Sequence, residues 1–441
     1  MKTKTYEELK NFILDLPVID CHEHTMGPEF APEYKEPIAS LIQGYFQSDL
    51  LSAGATEKEI EILNDHNVST EEKWPIFEKL WEKTEYTGYA KVTKIIMEKF
   101  YGEKEMTLSS LKRISEKLLN LREEKVYYGI LKKAKIKCRL VNILYDHCSV
   151  NLALKKFLEG KHVLPQYDRI LIPIIMFHSV IRNRRGIEGI GEIVDTNINT
   201  IDKYLEVCRK IFIKMKEKGA VGMKDQSAYE RIISFEDVSR AEAEKLFNFI
   251  IENPRNSLGW PQAKPLDDYL FHRFMEMAEE LSLPVQIHTG HMAGIRNEIS
   301  KTNAILLTSI LEKYKNVRFD LFHGNWPYMG ELLFLVKNYP NVYMDLCWVN
   351  IIDPYYTSQL LCDALTTIPH SKIHGFGGDY GDTPEYAFAH LEIAKGVISY
   401  SLAKMINSGW INIDEAKKVA VDWLYNNPNE FFDLGFTPFG K

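Results

Sequence analysis

Eight apolar stretches punctuate the chain, most of them continuous rather than alternating: Leu16–Asp20, Cys138–Leu144, Arg169–Met176, Ala220–Lys224, Leu283–His288, Val317–His323, Asn341–Cys347 and Lys372–Gly377. A strand covered on one face alternates apolar and polar residues, whereas one covered on both does not. These runs therefore predict parallel strands buried inside a larger fold. Between the later runs, apolar residues recur at helical spacing. Asp267–Leu281 sets Leu270, Phe271, Phe274, Met277, Ala278 and Leu281 on one side and opens with two aspartates, which suit a helix N-terminus. Ala304–Tyr314 and Met329–Lys337 read the same way. Strand and helix in alternation, eight times over, predict an α/β fold of the TIM (β/α)8 barrel type.

One interval breaks this rhythm. Residues 27–133 separate the first two strands, far more chain than a βα unit needs. The interval is mostly helical in pattern, with Pro28 and Pro32 near its start and an amphipathic stretch at Thr107–Leu121. The barrel is thus expected over 1–26 and 134–441, with a helical insertion over 27–133. Inserted after the first strand, it falls over the barrel mouth, as a lid or as a homo-oligomer contact. The end, Thr437–Lys441, is expected to be loose.

Composition narrows the function classes. Across 441 residues, 45% hydrophobic and 12% aromatic content suffices for a large core. Acidic residues outnumber basic ones, 61 to 54, for a formal charge of −7, which gives no pull towards nucleic acid or anionic membrane. A small-molecule substrate is the expected partner. The six cysteines, at 21, 138, 148, 208, 347 and 362, form no CxxC pair. The first ten residues lack the apolar core of a signal peptide, and no run reaches bilayer length. Free thiols in a reducing cytoplasm are expected.

The chemistry sits where the strands end. Asp20-Cys-His22-Glu-His24 caps the first run, His288 the fifth, His323 the sixth and Asp379 the eighth. A parallel barrel places its reactive groups at the C-terminal ends of its strands. His22 and His24, two apart, point to the same face and can hold a divalent cation, with nitrogen–metal distances of about 2.0–2.1 Å for zinc. His323, in Phe322-His-Gly-Asn-Trp-Pro327, reads as a ligand of a second metal or as an electrophile facing the substrate; the second is favoured. Asp379, flanked by glycines, can bind metal, accept a proton, or do both in turn. Asp382 and Glu385 read as residues of the following loop. Lys224 ends the fourth strand, where a lysine is either carbamylated to bridge two metals or left as an ammonium for an anionic substrate. Arg296, His291 and Trp326 are candidate substrate contacts, Arg296 for a carboxylate.

HxH on the first strand, single histidines on the fifth and sixth, and aspartate on the eighth resemble the amidohydrolase superfamily of metal-dependent barrels. Asp20–His24, Val285–Gly290, Phe322–Gly324 and Phe376–Asp379 resemble its amidohydrolase-2 branch. The insertion, with Trp81–Gly88, is more distantly similar to that of uronate isomerases, and Asp414–Ala420 through Asn426–Phe431 is similar to the superfamily's ending. The resemblance implies one divalent metal, zinc first and manganese second, held by His22, His24, His288 and Asp379, with His323 as acid–base or electrophilic partner. It implies hydrolysis of an amide, lactone or C–N bond in a small polar metabolite. Its alternative is metal-dependent isomerisation or decarboxylation of a small carboxylic acid. A barrel that only binds a ligand is the third reading.

Overall fold

The computed structural model describes residues 4–142, 150–161, 164–179 and 181–440. Eight strands run in sequence order around one sheet: β1 (Val18–Glu23), β2 (Ile136–Val141), β3 (Asp168–Pro173), β4 (Gly222–Asp225), β5 (Val285–Ile287), β6 (Phe319–Leu321), β7 (Val342–Asp345) and β8 (Ile373–His374). Every neighbouring pair is parallel. Beyond β8, the Cys21 N–H donates to the Phe376 carbonyl (3.0 Å) and the Asp379 N–H to that of His22 (2.9 Å). These bonds join the last segment to the first strand and close a TIM barrel with helices outside it.

The strands differ from the sequence pattern at their ends. The third stops at Pro173, and Ile175–His178 coils into a short helix. The eighth is only two residues long, because Gly375, Gly377 and Gly378 let the backbone leave the ladder where other chain packs against it. Cβ atoms at these three positions would lie 3.0 Å from the Trp423 carbonyl, 2.8 Å from Cys347 Sγ and 2.0 Å from Glu23 Oε1. The end of the expected second strand, 143–144, lies outside the described residues, as does Cys148. The other five cysteines are buried free thiols. Asn426 receives the Phe439 N–H (2.9 Å) and donates to its carbonyl (3.2 Å). Phe431 and Phe432 plug the N-terminal end of the barrel against Ile19, Cys21, Cys138, Leu140 and Leu171.

Between β1 and β2 the chain is helical. Thr56 and Ser69 close capping boxes with Glu59 and Glu72, and Thr87 and Thr107 cap the helices Gly88–Ile96 and Leu108–Ser115. Two acids beyond β8 tie this stretch to the last part of the barrel. Asp382 accepts the backbone N–H groups of Met26 (2.8 Å) and Gly27 (2.9 Å), and Glu385 accepts the Tyr34 hydroxyl at 2.5 Å. Glu385 is not the loop residue the sequence suggested: it lies buried in the first turn of the helix Pro384–Asn407. No helix among the described residues is long and apolar enough to cross a membrane.

Candidate metal centre

The C-terminal ends of β1, β5, β6 and β8 bring four histidines and one aspartate together. His24 Nε2 lies 3.1 Å and His22 Nε2 3.7 Å from Asp379 Oδ1. His323 Nε2 stands 3.8 Å from Asp379 Oδ2 and 3.2 Å from His288 Nδ1. A register shift in β1 between Asp20 and Glu23 accompanies the turn of both imidazoles towards the site. His323, Trp348 and Asp379 all hold positive φ, near +60°, just past strand ends. Such backbone costs of order 1–3 kcal/mol per residue, and its clustering at one mouth marks a site where geometry outweighs stability.

Each ring has one nitrogen committed elsewhere. His22 Nδ1 faces Gln286 Oε1 (3.2 Å), His24 Nδ1 the Asn142 carbonyl (3.2 Å), His288 Nε2 the His291 carbonyl (2.8 Å) and His323 Nδ1 the Cys347 carbonyl (2.8 Å). These partners are acceptors, so the committed nitrogens carry the protons. The lone pairs of the other four nitrogens then converge on one another and on the carboxylate. Lone pairs facing lone pairs at 3.1–3.8 Å repel unless a cation lies between them, and His22 Nε2 is buried with no hydrogen-bond partner. The donor set therefore fits a divalent ion, each imidazole oriented from behind by an oxygen.

Burial is the largest influence on how these groups titrate. Burial, with the neighbouring Lys224 and His24, drives His22 well below its ordinary range, and burial with His323 and Lys224 does the same to His288. Burial pushes His323 down to about 4. Burial alone would raise the Asp379 carboxyl, but His24, with His22 and His323 beyond it, holds it well below its usual value. At neutral pH the Asp379 carboxylate thus stands beside the uncharged imidazoles of His22, His288 and His323. His323, its Nδ1 turned to the Cys347 carbonyl, is then an acceptor at Nε2.

Above the centre opens a cavity of about 630 Å³, bounded by His24, His288, Asp379 and residues of the insertion, Gln43, Tyr45 and Gln47 among them, with Gln226 and Tyr229 opposite. The sequence pattern missed these insertion residues because they follow no periodicity. Cys347, whose thiol lies with His323 and Asp379 in a potential ligand group, was also missed. The other expected substrate contacts fall elsewhere. His291 contributes its carbonyl to His288, and its ring packs on Trp326 and Trp348. Trp326 backs His291 and does not line the cavity. Arg296 is exposed, on the loop beyond the lining residue Gly294. Lys224 is fully buried with its Nζ 3.8 Å over the Phe322 ring, lacks a hydrogen-bond partner, and is pushed by burial down to about 8.

A closed barrel with such a donor set at its mouth defines a TIM-barrel enzyme fold with a candidate metal centre. Residues 188–398 match the amidohydrolase family. Over 460 aligned residues the chain is 21% identical to uronate isomerase of Thermotoga maritima, covering 96% of each protein. It is 24% identical over 231 residues to Protein fluG of Emericella nidulans, a match spanning 50% of this chain and 26% of that protein. The crystal structure of uronate isomerase from Thermotoga maritima superposes with a TM-score of 0.75 at 16% identity, covering 98% of both chains, a likeness of fold. The chain is thus similar to the amidohydrolase family over just under half of its length and to uronate isomerases over nearly all of it.

Proposed function

We propose that the protein is a metal-dependent hydrolase that opens an amide, lactone or C–N bond of a small polar metabolite. The observation carrying this reading is the convergence of the His22, His24 and His323 nitrogens on the Asp379 carboxylate, with His288 beside His323. His22, His24, His288 and Asp379 would hold the ion, zinc in the first instance and manganese in the second. A bound divalent cation would supply Lewis acidity and lower the pKa of water from ~15.7 towards ~7. Asp379 is ionised at neutral pH and can take the proton of an attacking water, then return it to the leaving group. His323, neutral and accepting at Nε2, offers a second proton acceptor beside it. Gln43, Gln47, Gln226, Tyr45 and Tyr229 line the cavity and give it a polar wall suited to a polar metabolite.

A second reading, aldose–ketose isomerisation of a sugar acid, draws on the full-length likeness to uronate isomerases. Against it, no lysine or arginine among the described residues lines the cavity to face a substrate carboxylate. The metal-loaded protein, incubated separately with hexuronates, lactones and N-acyl amines and followed by mass spectrometry, separates the two. Gain of water supports hydrolysis, whereas a hexuronate product of unchanged mass supports isomerisation and overturns the first reading.

A further inference from the structure

The interior of a parallel barrel is ordinarily filled by branched apolar side chains. Directly beneath the metal centre this one carries Gln286, Asp320 and His374, from β5, β6 and β8, all fully buried. They form one unbroken chain. His374 Nδ1 donates to Asp320 Oδ1 at 2.9 Å, Gln286 Nε2 donates to Asp320 Oδ2 at 3.1 Å, and Gln286 Oε1 faces His22 Nδ1 at 3.2 Å. The same Gln286 amide nitrogen donates to the Cys21 carbonyl at 2.9 Å.

Two acceptors, a backbone carbonyl and a carboxylate, thus claim the NH2 end of the Gln286 amide. Its oxygen has to be the end that faces His22. An oxygen there accepts and cannot donate, so the His22 proton is drawn to Nδ1 and the lone pair at Nε2 is turned to Asp379 and the ion. With the amide reversed, the NH2 group would meet Nδ1, the proton would move to Nε2, and His22 would lose its ligating atom. We propose that Gln286 is a positioning residue that sets the ligating nitrogen of His22, with Asp320, itself anchored by His374, fixing the orientation of the Gln286 amide. The polar layer under the site is the rear support of the metal centre, reaching across the barrel to β8. This inference rests on the reading of His22 as a metal ligand.

Gln286→Met keeps the length of the side chain and removes its oxygen. The double variant Gln286→Glu with Asp320→Asn restores an acceptor opposite His22, since the new asparagine can donate to the glutamate while its oxygen accepts from His374. Zinc affinity, measured by chelator competition, is expected to fall about 10–100-fold in Gln286→Met and to recover in part in the double variant, whose glutamate no longer donates to the Cys21 carbonyl. Long-range proton–nitrogen NMR of the metal-free wild type is expected to show His22 protonated at Nδ1, with that preference lost in Gln286→Met. Wild type that binds no zinc would remove the metal reading itself. Zinc bound equally by wild type and Gln286→Met would leave that reading standing and overturn the positioning role. Should Gln286→Met fail to fold, the wild-type spectrum decides alone: a proton on His22 Nε2 overturns the proposal.

Discussion

His24 Nε2 and Asp379 Oδ1 lie 3.1 Å apart while the opposite ring nitrogen, Nδ1, is turned to the Asn142 carbonyl at 3.2 Å. With its proton at Nδ1, His24 presents a lone pair to a carboxylate oxygen. The contact is favourable only when a positive charge sits between the two atoms.

That relationship separates two effects of Asp379→Asn. Asparagine can donate an N–H to His24 Nε2 and relieve the repulsion in the metal-free protein, while it removes the charge that draws a cation and accepts a proton. The metal-free variant is expected to melt no lower than metal-free wild type. Turnover should fall about 10²–10⁴-fold, the usual span for a lost acid–base group. Melting curves of both stripped proteins, beside kinetics of the reloaded ones, check this. Wild-type turnover in the variant would exclude Asp379 from the chemistry.

Removing the metal should abolish activity, and zinc or manganese should restore it. The ion binds the folded donor set and not the open chain, so it stabilises by mass action. At a hundredfold excess over the dissociation constant this amounts to about 2.7 kcal/mol. Calorimetry with and without zinc reads it directly. The shift should shrink in His22→Ala and His24→Ala, and an unchanged shift in both would remove these imidazoles from the ligand set.

The candidate metal donors were legible in the sequence because each is a polar residue abruptly ending an apolar run, and a barrel brings all strand ends to one rim. The supports behind them were not. Gln286 sits inside Val285–Ile287, where one amide between branched residues looks like filler. The carbonyls of Asn142, His291 and Cys347 that orient the rings belong to the backbone, so side-chain identity says nothing of them. Gln43, Tyr45 and Gln47 reach the cavity through the path of the insertion, which local periodicity does not encode. Glu385 was misread because Thr383-Pro384 after a glycine-rich run suggests a loop, whereas the proline opens a helix there.

Gly378 tests how tightly the rim is built. A β-carbon on it would lie 2.0 Å from Glu23 Oε1 and 2.9 Å from Glu23 Cδ. Glu23 cannot swing away freely, because its other oxygen accepts the Tyr380 N–H at 2.7 Å. Gly378→Ala should therefore cost about 1–3 kcal/mol of stability, the range for overpacking a buried site. It should also move the adjacent Asp379, and displacements near 1 Å at reacting groups lower rates about 10²-fold. Denaturant titration and kinetics measure the two losses. Wild-type stability in the alanine variant would show that the rim gives way easily.

Glu385 yields a pH dependence of the less common sign. Burial pushes its carboxyl from 4.5 up to about 7 despite the Tyr34 hydroxyl, which favours the charged form. Between these values the unfolded chain has released the proton that the folded protein still holds. Stability from this group is therefore full below pH 4.5 and falls as pH rises to 7, by about 3 kcal/mol in all. Glu385→Gln keeps an acceptor for Tyr34 and has no charge to bury. The variant should match wild type near pH 4.5 and exceed it increasingly towards pH 8, by up to that amount. Urea unfolding of both proteins across this range gives the difference directly. A gap that stays constant with pH would mean the Glu385 carboxyl titrates normally, and that its link to Tyr34 holds the insertion to the barrel at no cost in charge.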